Sequence, residues 1–391
     1  MKNILFVSGS FYPATYYGGP IYSSYELAKG LAEIDCQVFI CTTNSNGPKR
    51  LAVKTNKYLK LKDDLFVKYY GLGSKNGFSP FMFLLLWQDI LKADIVYLIS
   101  IFSPCTPLTI VICKILKKKL IISPRGQLGV WCLNQGSMFK KLWLKVFIHP
   151  FINNFTWHIN SKEEQKDVKL VYPNARTFVI PNGIDTDIYE NGNQSKKKLF
   201  YQKYTKDITI NSLVMISMGR LHQVKGFNIL INSFKVVKEK YDNFYLLIAG
   251  QDFGEKEELV KQINELKLND RVYLIGNIEG EEKIDFLKNA DVFALSSHHE
   301  NFGLVYAEAL AAGIPIVASK NTPWEEVEKY NCGKWVENTP EDFAKAIEEI
   351  LNSNYEKMGD NGRKFIYENY NWEIIAKKYK EKLDEIGNNH E

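Results

Sequence analysis

Pro181-Asn182-Gly183-Ile184-Asp185, with the polar run Glu190-Asn191-Gly192-Asn193-Gln194-Ser195-Lys196-Lys197-Lys198 that follows, punctuates the chain near its middle. Upstream, short runs rich in branched apolar residues alternate with turns and longer amphipathic segments, the signature of parallel βα units. Residues 3–8, 37–42, 95–100, 120–123, 157–160 and 177–180 read as strands, and 22–34 as the first helix. Residues 54–70 are less regular and read as an antiparallel excursion. Downstream the rhythm restarts, with strands expected at 213–217, 245–249, 272–275, 292–295 and 316–318 and helices at 227–240 and 304–312. At 391 residues the chain is longer than one hydrophobic core usually supports. The expected fold is α/β, with two Rossmann-like doubly wound parallel-sheet domains facing across a cleft. Residues 1–190 are expected to form the N-terminal domain and 191–371 the C-terminal domain, joined through the polar run. A charged helix within 372–391 has its apolar positions at helical spacing, suited to packing back on the first domain.

Hydrophobic residues make up 45% and charged residues 24% of the chain, ordinary globular composition that gives no case for extensive disorder. The net charge of +5 is too mild to imply a nucleic-acid partner, but it suits anionic small molecules or an acidic membrane surface. Six cysteines show neither metal-ligand spacing nor disulfide-scaffold density, which predicts a cytoplasmic setting. The apolar run after Met1-Lys2-Asn3 is too short for a signal-peptide core, so the mature chain is expected to start there. Residues 95–113 carry no charge, as a membrane span would, yet Pro104 and Pro107 divide them into a strand, a loop and a short buried helix.

In doubly wound sheets ligands bind beyond the carboxyl ends of the strands, and the polar exceptions gather there. After the second domain's first strand comes Gly219-Arg220-Leu221-His222-Gln223-Val224-Lys225-Gly226, two cations in one strand-to-helix loop between glycines. Arg220 can fork onto phosphate oxygens, Lys225 adds a point charge, and the glycines allow close backbone approach. Read alone, the same segment is also two solvated loop cations. Ser296-Ser297-His298-His299-Glu300-Asn301-Phe302-Gly303-Leu304-Val305-Tyr306-Ala307-Glu308 runs from a strand end into an alanine-rich helix. Glu300 sits where it could accept hydrogen bonds from sugar hydroxyls, and Asn301, Phe302, Gly303 and Leu304 offer backbone N–H groups to an anion. Glu308 lies inside an apolar helix, where a carboxylate is costly without partners that ribose hydroxyls would supply.

Glu300 and Glu308 with the intervening Phe-Gly-Leu, the later Ala-Gly-Ile-Pro, and the upstream Gly-Arg-Leu and Lys-Gly resemble the family-4 retaining glycosyltransferases of GT-B fold. The resemblance extends over most of the chain and implies a donor contact to sugar hydroxyls for Glu300, to ribose for Glu308, and to the diphosphate for Arg220 and Lys225. Arg220, Lys225 and Glu300 are then the catalytic candidates. Tyr17-Gly18-Gly19-Pro20 resembles the family's glycine loop, with Gly19 the contact to donor phosphate or acceptor. Ser123-Pro124-Arg125-Gly126 resembles a form found in polysaccharide-building members, whereas many relatives carry a histidine near this loop. Arg125 is thus a cleft residue without an assigned role. The implied partners are a nucleoside-diphosphate sugar and a glycan or lipid-linked acceptor, with no cofactor and no metal.

Asp185-Thr186-Asp187 imitates the metal-binding carboxylate pair of another glycosyltransferase fold but follows a domain exit rather than a donor site. His298 and His299 are adjacent and cannot share a metal as an i, i+4 pair would. Residues 140–149 mix cations with aromatics and read as a basic helix with its apolar face in the core, the alternative being peripheral contact with anionic lipid. Two rival functions stand beside the transferase. A dinucleotide-dependent oxidoreductase is disfavoured because Phe6-Val7-Ser8-Gly9-Ser10-Phe11 does not continue into Gly-x-Gly-x-x-Gly, and a non-catalytic nucleotide-sugar-binding subunit would differ only in turnover.

Overall fold

The computed structural model describes residues 1–73, 78–134, 137–190 and 198–388. Of the polar run expected to link the domains, residues 191–197 lie outside these. The chain forms two compact units, Met1–Gly183 with Trp372–Glu391, and Ile184–Asn371. The second unit therefore opens at Ile184, ahead of the polar run. Its two ends meet, the Ile184 N–H donating to the Tyr370 carbonyl at 2.7 Å.

In the first unit, besides a two-stranded hairpin of Ser45–Asn46 and Lys49–Arg50, the strands are β1 (Lys2–Val7), β2 (Cys36–Thr43), β3 (Tyr58–Lys62), β4 (Leu65–Tyr70), β5 (Ile95–Ile99), β6 (Lys119–Ser123), β7 (Phe155–Ile159) and β8 (Thr177–Val179), and these eight build the main sheet. Among the described residues they form one sheet in the order β8-β7-β6-β5-β1-β2-β4-β3, parallel except for β3 against β4. The irregular stretch 54–70 thus holds the antiparallel excursion as an edge hairpin. Side-chain alternation along β1 sorts the two faces. Ile4 and Phe6 join a core with α1 (Gly19–Ala32) and the terminal helix, while Leu5 and Val7 join the core under α2 (Pro80–Lys92) and α3 (Cys105–Ile115). The uncharged run 95–113 is divided as its prolines dictate, into β5 and α3, and no described helix is long and apolar enough to cross a membrane. Further along come α4 (Ser137–Trp143), a π turn over Leu144–Ile148, and α5 (Lys162–Val171).

The second unit carries β9 (Leu213–Met218), α6 (Phe227–Lys238), β10 (Phe244–Ala249), α7 (Lys256–Glu265), β11 (Val272–Gly276), α8 (Gly280–Lys288), β12 (Val292–Leu295), α9 (Leu304–Ala311), β13 (Ile316–Ser319) and β14 (Gly333–Val336). Among the described residues its sheet is all parallel, in the order β11-β10-β9-β12-β13-β14. The order reverses between β9 and β12, so the loops that leave these two strands stand side by side, the switch point at which such sheets bind ligands. Helices α10 (Pro340–Leu351) and α11 (Tyr355–Tyr370) complete the unit, and α12 (Trp372–Asn388) returns to the first, where Ile375, Tyr379 and Leu383 enter its core.

Candidate functional site

The loop after β9 and the loop after β12 are knitted together. Gly226 holds φ of 63°, and a Cβ there would run into the Ser296 carbonyl oxygen, so only glycine permits the approach. Ser296 Oγ donates to the Gly226 carbonyl at 2.6 Å, and the His298 N–H donates to the Val224 carbonyl at 2.8 Å. On the other flank the Leu221 N–H donates to the Gln251 carbonyl at 2.8 Å, and a Cβ on Gly250 would strike the Gly219 carbonyl. Glycines at 219, 226 and 250 therefore bring three strand-end loops to one place.

Within this frame the Lys225 side chain runs over Gly219, where a Cβ would lie 3.2 Å from Lys225 Cε, and its ammonium pairs with Glu300 Oε1. Ser297 Oγ donates to the same oxygen at 2.8 Å. Both charged side chains are largely buried, 13% and 12% exposed, which strengthens their attraction and makes each costly to strand alone. Arg220 is exposed, its guanidinium 5.3 Å from the centre of the Phe253 ring. His222 caps the short turn of Gln223–Lys225, Nδ1 accepting the Val224 N–H at 3.2 Å. Burial, then the neighbouring Arg220 and Lys225 charges, hold its imidazole below the usual histidine range, so it stays neutral and leaves the positive field to the two permanent cations.

Helix α9 starts behind Gly303, a left-handed N-cap with φ of 76° beside Glu300 Cγ. Its first N–H groups, at Leu304 and Val305, have no intrahelical acceptor by position and open toward the loop. The Phe302 ring is buried against Trp324 and Tyr370, while its carbonyl accepts the Trp324 indole N–H at 2.7 Å. A ligand can thus meet Phe302 only through its backbone. One turn into α9, Glu308 Oε1 accepts from Lys283 of α8 at 2.6 Å, while Oε2 is buried without a partner among the described residues. The expected cost of a carboxylate in this apolar helix is met only in part by Lys283, which sequence reasoning missed because the lysine comes from another helix.

In the first unit Gly19 is the first residue of α1, behind Gly18 at φ of 70°. Arg125 lies past β6 in the left-handed region, φ of 53°. Its Nη1 donates to Asn182 Oδ1 at 2.7 Å and Asn160 Oδ1 at 3.3 Å, and Nε and Nη2 are buried without a partner among the described residues. Glu164 braces this loop, Oε1 accepting the Gly126 N–H at 2.5 Å and Oε2 the Asn160 N–H at 2.7 Å. Burial pushes its carboxyl up to about 7, against the pull of those two N–H donors and the Arg125 charge. In the sequence Asn182 reads only as part of the mid-chain punctuation and Asn160 only as a strand end, and Glu164 carries no site signal, although Ser161 three residues before it is the N-cap pattern that builds α5, Ser161 Oγ accepting the Glu164 N–H at 3.1 Å. No group of three His, Cys, Asp or Glu able to hold a metal stands among the described residues.

Two doubly wound sheets of this order, the second all parallel and the first parallel but for its edge hairpin, have the GT-B architecture. A solved structure of Anabaena HepE in complex with UDP has a TM-score of 0.77 at 22% identity, over 98% of this chain and all of that one. Residues 17–188 match the family described as Glycosyltransferase Family 4, and residues 202–365 match Glycosyl transferases group 1. The chain belongs to the family-4 glycosyltransferases. Among curated relatives, an uncharacterized glycosyltransferase of Methanocaldococcus jannaschii is 27% identical over 64% of this chain and 60% of its own. A probable sucrose-phosphate synthase of Thermosipho melanesiensis is 31% identical over 56% of this chain and 51% of its own. The chain thus spans about half to three fifths of the length of these relatives.

Proposed function

We propose that this chain transfers a sugar, with retention of anomeric configuration, from a nucleoside-diphosphate sugar to an acceptor hydroxyl. The observation that carries the reading is the convergence of Lys225, Glu300 and the start of α9 where the sheet order reverses. Lys225 and Arg220 flank the position of a diphosphate, and the N–H groups of Gly303 and Leu304 extend the same positive field. Glu300 receives sugar hydroxyls on the edge not held by Lys225, and Glu308 Oε2 receives a ribose hydroxyl. As the glycosidic bond to the leaving diphosphate lengthens, its growing charge is stabilised by the two cations, and the acceptor oxygen attacks from the face the diphosphate leaves, passing its proton to a departing phosphate oxygen. Gly19 at the start of α1 contributes a backbone N–H to the donor phosphate or acceptor. With Arg220 and Lys225 supplying positive charge, turnover requires no divalent ion. Assembly of a surface polysaccharide or a lipid-linked glycan is the proposed setting, supported by the likeness of the Arg125 loop to polysaccharide-building members of the family.

The test is acceptor-dependent release of nucleoside diphosphate, with uridine, guanosine and adenosine diphosphate sugars, in chelator and then in magnesium. The neighbour solved with UDP makes the uridine donors the first to try. Release in chelator that needs both donor and acceptor supports the reading. Nucleotide binding without turnover on any acceptor would favour the non-catalytic binding subunit, and absence of nucleotide binding in a folded sample would overturn both.

A further inference from the structure

Helix α2 is apolar on both sides. Met82, Leu86 and Ile90 are buried in the core beneath it, yet Phe81, Leu84, Trp87 and Leu91 stand 50%, 63%, 46% and 52% exposed along its outer face. Single exposed hydrophobes are ordinary, but four at helical spacing form a stripe with no covering partner among the described residues. The surface continues on neighbouring elements of the same side of the sheet. Ile115 at the end of α3 is 72% exposed, and on α4 Met138, Phe139 and Leu142 are 84%, 68% and 59% exposed. The segment 140–149 expected to bury its apolar face in the core does so only through Leu144 and Ile148.

The charge of this region is one-sided. From Ile95 to Ser161 the sequence contains no aspartate or glutamate, but it contains Lys114, Lys117, Lys118, Lys119, Arg125, Lys140, Lys141 and Lys145. Lys114, Lys117, Lys141 and Lys145 are exposed, as is Lys92 at the end of α2. The acid within α2, Asp89, is turned inward, where it accepts from Lys68 at 2.7 Å and from the hydroxyls of Tyr58 and Tyr70. The outer face therefore combines apolar bulk with an excess of positive charge, Asp94 just past α2 being an exposed acid at its border.

We propose that the face formed by α2, α3 and α4 docks onto an anionic lipid bilayer, its aromatic and aliphatic side chains entering the interface and its lysines meeting phosphate headgroups. A helix of 13 residues is about 20 Å long, short of the ~30 Å hydrocarbon core, so α2 lies in the interface instead of crossing it. A second copy is a poorer occupant, because a two-fold contact would set this predominantly cationic face against itself. The inference does not rest on the donor reading, since lipid binding needs no nucleotide.

Full-length protein without nucleotide is sedimented with vesicles of phosphatidylcholine alone, and with vesicles containing about one-third phosphatidylglycerol. It is expected to pellet with the anionic vesicles only, and to be released as salt rises from about 0.1 M to about 1 M. Leu84→Ser with Trp87→Ser, and separately Lys114→Glu with Lys141→Glu and Lys145→Glu, should each weaken partitioning by about tenfold or more. The lysine variant changes only exposed side chains and keeps the test valid if the serine variant fails to fold. Wild-type protein that stays in solution with anionic vesicles, binding that neither variant weakens, or a dimer in sedimentation velocity that Leu84→Ser with Trp87→Ser abolishes would each overturn the proposal. Nucleotide binding measured without vesicles judges the donor site separately.

Discussion

Lys283 Nζ donates to Glu308 Oε1 at 2.6 Å and leaves Oε2 buried with no donor among the described residues. A half-satisfied carboxylate in an alanine-rich helix is a poor choice for stability alone, since each unmet buried group costs roughly 1–3 kcal/mol. A ribose hydroxyl would complete it. Glu308→Ala should therefore keep its fold and lose on the order of tenfold to a hundredfold in nucleotide affinity, read by calorimetric titration with nucleoside diphosphates. Unchanged affinity would remove Glu308 from the donor site.

The two cations of the β9 loop should separate by burial. Arg220 is exposed and lies over Phe253, so Arg220→Ala is expected to leave unfolding unchanged while slowing turnover about a hundredfold, near 3 kcal/mol, if it clamps the diphosphate in the transition state. Lys225→Ala instead strands the mostly buried Glu300 with Ser297 as its one remaining donor among the described residues, and should cost both turnover and about 3 kcal/mol or more of stability. Initial rates and urea unfolding on the two variants decide it. Equal stability for both would mean that the Lys225–Glu300 pair is not held as described.

Gly226→Ala joins a backbone penalty to a collision, because φ is 63° and the added methyl meets the Ser296 carbonyl. The loss of stability should be roughly 2–4 kcal/mol, with nucleotide affinity falling as the two loops separate. Gly254→Ala is the control: φ is 94° but open space surrounds the position, so only the backbone penalty, about 1 kcal/mol, is expected. Urea midpoints of the two variants that coincide would show that the Gly226–Ser296 contact is not what fixes the loops.

Much of this arrangement is legible in the sequence, and the part that is not has a physical reason. The parallel strands announce themselves because both faces of each are buried, which leaves continuous apolar runs such as Val292–Leu295. The edge strand Gly333–Val336 escapes notice because, with a lysine and only Gly333 fully buried, it has no such run. Arg220, Lys225, Glu300 and Glu308 stand out as polar interruptions next to strand ends. Lys283, Asn160 and Asn182 do not, because their partners lie 25, 35 and 57 residues away and no local pattern encodes such pairing. The first helix begins at Gly19, ahead of the expected residue 22, because Pro20 is favoured in a first turn, and this is what sets Gly19 at a helix N-terminus. Exposure was equally hidden. The residues of α2 are apolar around most of the helix, so their pattern does not mark a solvent face, and only the structure separates its buried side from its exposed one.

Glu164 makes a prediction about pH. Burial raises its carboxyl from the ordinary 4.5 up to about 7, although the Gly126 and Asn160 N–H groups and Arg125 favour the charged form. Between those values the folded chain keeps a proton that the unfolded chain has released. The stabilisation tied to this group is therefore fully present below the unfolded value, and it is lost as pH rises through the folded one. The change amounts to about 3 kcal/mol if Glu164 acts alone. Glu164→Gln should be less stable at low pH, because an amide offers one acceptor oxygen where two N–H groups point, but its stability should lack this descent, so that the gap closes as pH rises. Urea unfolding of both proteins from pH 4 to 8 isolates the group, since other carboxylates contribute equally to the two curves. Parallel curves would mean that folding leaves the proton affinity of Glu164 unchanged, the two N–H donors offsetting burial. A wild-type curve that falls relative to the variant would mean that the loop carrying Arg125 is braced most firmly by the neutral acid, and loosens toward neutral pH.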